Sequence, residues 1–126
     1  MENLFQSTVA EKIFERMEKL QPETKPLWGK MNVSQMLAHC KVPLEVSLGQ
    51  KKLKQTLLGI LFGKMVKKQM LKPEPMKKNL PTVPDFVVRY SPDFSLEKQQ
   101  LESLIRNLFQ PIPVKLLQDR ILFLAR

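Results

Sequence analysis

His39 and Cys40, in the string QMLAHC, are the chain's only histidine and only cysteine, and they are neighbours. Their side chains are donors for a zinc or nickel site, or the base and nucleophile of a thiol centre. Consecutive residues of a helix leave its axis about 100° apart, so the pair cannot easily converge on one ion. Nor do they face each other as a nucleophile and its base must. A complete metal site would have to draw on carboxylates such as Glu45, Asp85 or Asp93, and no spacing supports that. Cys40 therefore reads as a core residue. His39 keeps two readings: a hydrogen-bonded flank residue, or one ligand of the kind that inward-pointing histidines supply in helical bundles.

The element carrying the pair is a helix starting at Asn32, with Gln35 placed to complete a capping box. Met36, Leu37, Cys40, Leu44 and Leu48 form its apolar stripe, and Gly49 stops it. Pro43 removes a helical donor, which predicts a kink or loosened turn just after His39. An earlier helix is marked by a Thr8/Glu11 capping box followed by Val9, Ile13, Phe14, Met17 and Leu20, and it ends before Pro22. Between the two, Trp28 reads as a loop anchor rather than a ligand platform. A third long helix begins near Asp93 or Ser95 and shows Phe94, Leu101, Leu104, Ile105 and Leu108 on one face. Five prolines between residues 73 and 94 predict a long irregular connection, with FVVRY (86–90) as a brief extended piece.

The 126 residues suit one domain, and 43% apolar with 26% charged residues is globular composition. A single thiol fits a reducing cytoplasm, and the N-terminus has no secretory pattern. The longest apolar run, residues 57–63, falls far short of the roughly 18–20 residues that span a bilayer. The expectation is a soluble, cytoplasmic domain.

The net charge of +9 is concentrated: residues 51–78 carry nine lysines against Glu74 alone. Here lysines alternate with Leu53, Leu57, Leu58, Ile60, Leu61, Met65, Val66 and Met70. That predicts one or two short amphipathic helices, with Gly59 and Gly63 as weak points or close-contact sites. Lys51, Lys52, Lys54, Lys64, Lys67 and Lys68 form either a solvated face or a patch for polyanions or an anionic membrane. The segment has no arginine and a single aromatic, Phe62, so base readout and stacking are poorly supplied.

The strings PLWGKMNVSQMLAHC, LGILFGKMVKKQMLK and KKNLPTVPDF resemble an uncharacterised bacterial branch of the DinB/YfiT-like superfamily. The likeness runs from about Pro26 to Phe94, and more loosely from Val9 to Phe109. It implies an all-α, up-down four-helix bundle with a three-histidine site for a divalent metal, zinc or nickel. In some members this serves thiol S-transfer with a small-molecule thiol. It also implies that His39 is the first ligand, from the second helix. The other ligands of that branch lie in a last helix resembling Tyr-Lys-His-Leu-Asp-His-His, after a loop resembling His-Pro-Phe-Phe-Gly-Lys. Neither motif occurs in this chain.

The resemblance thus implies a bundle of three long helices plus short ones over residues 1–110, with the fourth missing or replaced. Residues 111–126 form an atypical tail. The tail LQDRILFLAR can be encoded so that the frame two bases on spells Ala-Arg-Pro-His-Pro-Phe-Phe-Gly-Lys, so a frameshift after about Gln110 is expected. On this reading His39 is the single remaining ligand of an incomplete site. No tightly bound cofactor and no turnover are expected, and a homodimer would supply the missing layer. The contrasting expectation is a non-catalytic module that uses the lysine segment.

Overall fold

The computed structural model describes residues 6–53, 57–75, 77–80, 82 and 84–109. Four helices follow in order: α1 (Ser7–Glu18), α2 (Val33–Ser47), α3 (Leu57–Met70) and α4 (Phe94–Phe109), with a 3₁₀ turn at Pro84–Phe86 before the last. No strand occurs among the described residues, so the chain is all-α there. No described helix is long and apolar enough to cross a membrane. The tail at 111–126, and with it the frameshift expectation, lies outside the described residues.

The ends of α2 are built by local chemistry. Asn32 Oδ1 accepts from the Gln35 amide at 2.8 Å, and Gln35 Oε1 accepts from the Asn32 amide at 3.0 Å, closing the expected capping box. At the other end Gly49 adopts φ +75°. Its amide donates to the Val46 carbonyl at 3.1 Å while the Gln50 amide donates to Glu45 at 2.8 Å, a Schellman stop. Pro43 does not interrupt the helical assignment, and the Ser47 hydroxyl donates to the Pro43 carbonyl at 2.8 Å. Helix α4 is capped by Asp93, whose Oδ1 accepts from the Leu96 amide at 2.8 Å.

The start of α1 differs from expectation. The Thr8/Glu11 capping box does not form: α1 already runs from Ser7, and the Gln6 carbonyl accepts from the amides of Val9 and Ala10. Thr8 is inside the first turn and has no cap to make. The lysine-rich segment does contain one helix, within the expected one or two: α3, of 14 residues, running through both glycines. Of the two readings of Gly63, weak point or close-contact site, the first fits, since a Cβ there would meet nothing within 4 Å among the described residues. Of FVVRY only Phe86 belongs to the 3₁₀ turn, which Pro84 opens with its fixed φ, and residues 87–89 carry no regular structure.

Helix α2 packs most extensively on α4, which also contacts α1, and the 3₁₀ turn lies against α2. Met17, Val33, Leu37, Leu101 and Ile105 form the buried centre, with Ile13, Phe14, Met36, Cys40 and Leu44 packed around it. The Arg106 guanidinium lies 4.5 Å from the Phe14 ring centre and ties α4 to α1. Helix α2 is buried on more than its predicted stripe: Val33, Ala38, Lys41 and Val42 are buried too. It is covered from more than one side, so a single-face pattern understates its burial.

Candidate functional site

His39 lies half-buried where α2 meets the 3₁₀ turn. Its Nδ1 is 2.9 Å from the Phe86 carbonyl oxygen, and its ring meets the Phe86 ring edge-on at 6.2 Å and 75°. A carbonyl can only accept, so Nδ1 carries the proton, and in the neutral ring Nε2 holds the lone pair. This is the arrangement by which proteins orient a histidine ligand, with a backbone carbonyl holding the other nitrogen.

An open groove of about 770 Å³ runs beside the imidazole. Trp28, Met31, Phe86 and Val87 supply apolar wall, and Lys30 and Lys77 supply charge. Trp28 is 53% exposed and lines this groove. The following Gly29 adopts φ +86°, a left-handed conformation that glycine takes without a Cβ penalty.

Cys40 opens instead onto a different, apolar groove of about 420 Å³ lined from α1, α2 and α4. Its thiol approaches Met36 Sδ at 3.7 Å, and burial pushes its pKa up, the opposite of an activated nucleophile. The two residues therefore address separate cavities, as their helical offset requires. Among the described residues no group of three or more His, Cys, Asp or Glu side chains is placed to hold a metal. His39 alone is oriented as a ligand would be, and one donor does not make a metal site. The residues described do not fit a resident metal.

A second polar assembly had no signal in helical periodicity. Lys41 and Glu97 are both buried, and the ammonium lies 2.6 Å from Glu97 Oε2. Lys41 also donates to Gln100 Oε1, and the Tyr90 hydroxyl donates to Glu97 Oε1 at 3.2 Å. Desolvation, then the Glu97 charge beside it, raises the Tyr90 pKa. The ion pair joins α2 to α4 across 56 residues of sequence, so only the fold brings it together.

Of the expected lysine patch, Lys52, Lys64, Lys67 and Lys68 are exposed, and Lys54 lies outside the described residues. Lys51 is half-buried and lines a small cavity of about 110 Å³ with Glu45, Asp85 and Tyr90. It is thus set among carboxylates rather than presented with the others. Comparison of the chain with family models, with curated proteins and with solved structures gave no match.

Proposed function

We propose that this chain is a DinB-like bacterial, cytoplasmic protein whose working centre is the groove at His39, used for binding rather than for metal-dependent turnover. The observation that carries this reading is the Nδ1 contact to the Phe86 carbonyl, which fixes the ring and leaves Nε2 as its acceptor beside a large groove. In the parent fold that the resemblance implies, His39 would be one of three ligands to zinc or nickel in a thiol S-transferase-like site. Here it stands as the single remaining ligand, and a lone imidazole holds a divalent ion weakly. Metal analysis of the purified protein tests this. The expected result is substoichiometric zinc and nickel that dialysis removes. Stoichiometric metal that survives dialysis would overturn the incomplete-site reading.

The same reading carries a homodimer, since apolar residues of α1, α2 and α4 line a groove that a second copy could cover. Sedimentation across a range of protein concentrations checks it: a single species of monomer mass throughout would count against the dimer.

A second reading is favoured by one observation. Lys64, Lys67 and Lys68 are exposed on α3 together with Met65 and Met70, a basic helix that also presents apolar side chains. Such a surface suits an anionic membrane or a polyanion. Neutralising Lys51, Lys52, Lys54, Lys64, Lys67 and Lys68 should abolish salt-sensitive binding to acidic vesicles or nucleic acid. Binding unchanged by those substitutions would remove this reading.

A further inference from the structure

The groove beside His39 has a charge pattern that selects among ligands. Its volume, about 770 Å³, falls in the range of small-molecule sites, roughly 300–1,000 Å³. Lys30 and Lys77 line it, and among the described residues no aspartate or glutamate does. Both lysines are exposed, so their ammonium groups stay hydrated while the indole of Trp28 and the side chains of Met31, Phe86 and Val87 form apolar wall. Gln35 is oriented by the helix cap: its Oε1 is engaged by the Asn32 amide, so its NH₂ is the end left to donate. Two lysines, an amide donor and apolar walls, with no carboxylate among the described lining residues, are complementary to a small amphiphilic anion.

We infer that the His39 groove binds a monocarboxylate with an apolar body, its carboxylate held by Lys30, Lys77 and the Gln35 amide and its body against Trp28 and Phe86. The inference rests on the groove being the working centre, and it adds the ligand class. A cationic amphiphile is opposed by both lysines, and a neutral alcohol forfeits the charge-assisted hydrogen bonds. A nucleic acid is a poor match, because among the described residues the groove offers two lysines beside apolar wall and no arginine.

Trp28 is the chain's only tryptophan, so its emission reports occupancy of this groove directly. The experiment titrates the full chain with decanoate, decanol and decyltrimethylammonium, each below its micelle concentration, while following Trp28 fluorescence. Decanoate should give a saturable blue shift, decanol a weaker one and the ammonium probe the weakest. In a Lys30→Glu/Lys77→Glu variant the order should invert, with decanoate affinity falling about tenfold or more. Circular dichroism checks that this variant remains helical, and Lys30→Gln/Lys77→Gln gives the same comparison without charge reversal if it does not. No saturable response, equal response to decanoate and decanol, or an order insensitive to the lysines would overturn the inference. Stoichiometric, tightly held metal would overturn the incomplete-site reading while leaving the ligand order intact, so the two failures are distinguishable.

Discussion

On one side of α2, His39 faces a loop segment; on the other, Cys40 faces two helices. The loop segment brings a backbone carbonyl, from Phe86, that lies outside any long helix and is available to hold the imidazole. The helices α1 and α4 bring only side chains, because most of their interior backbone groups are engaged within the helix. Hence a polar-rimmed groove of about 770 Å³ forms beside His39 and an apolar one of about 420 Å³ beside Cys40. Adjacent residues acquire opposite chemistry from what covers them, an oriented acceptor in one case and a desolvated thiol in the other.

The largest test of this division concerns Lys41, on the stretch of α2 that meets α4. Lys41→Met should cost about 3–5 kcal/mol in denaturant unfolding, because Glu97 is left buried without its counter-charge. Adding Glu97→Leu should restore most of that loss; if the double variant stays as unstable as the single one, the pair is not acting as a desolvated ion pair. Next comes the contrast between the core and the groove. Leu37→Ala, at 1% exposure, should cost about 2–5 kcal/mol. His39→Ala should cost about 1 kcal/mol, the net worth of one hydrogen bond. Similar losses at both positions would erase the distinction between a packing face and a ligand face.

Cys40 supplies a pH test. Burial raises its folded pKa above the unfolded value, so the folded state keeps its proton longer. Its contribution to stability is complete below the unfolded thiol pKa and is lost as pH rises through the folded one. Cys40→Ala should remove that alkaline decline, seen as a shallower fall of unfolding free energy with pH, and iodoacetamide should label the native thiol slowly. The smallest effect is expected at Gly63, exposed in the interior of α3. Gly63→Ala should raise helicity and add about 0.5–1 kcal/mol to the stability of that helix, since the added Cβ meets open space.

What could be foreseen was local. The Asn32/Gln35 cap, the Gly49 stop and the start of α4 depend on residues within a few positions of one another, so the chain spells them out. The same holds for the separation of His39 from Cys40, which is helical geometry. The Lys41–Glu97 pair was hidden because a lysine and a glutamate on two amphipathic helices look like solvated residues until the helices are docked. The Phe86 partner of His39 was hidden for another reason: it is a main-chain carbonyl, and side-chain identity gives no sign of it.

The state of the His39 ring is the claim on which the groove depends, and one histidine makes it directly measurable. Long-range proton–nitrogen NMR correlation on uniformly ¹⁵N-labelled protein, at a pH where the ring is neutral, reads a single imidazole without assignment ambiguity. The Nδ1 contact to the Phe86 carbonyl predicts the tautomer with the proton on Nδ1, a pyrrole-type Nδ1 and a pyridine-type Nε2. A ring protonated on Nε2, or a fast average of both tautomers, would contradict it.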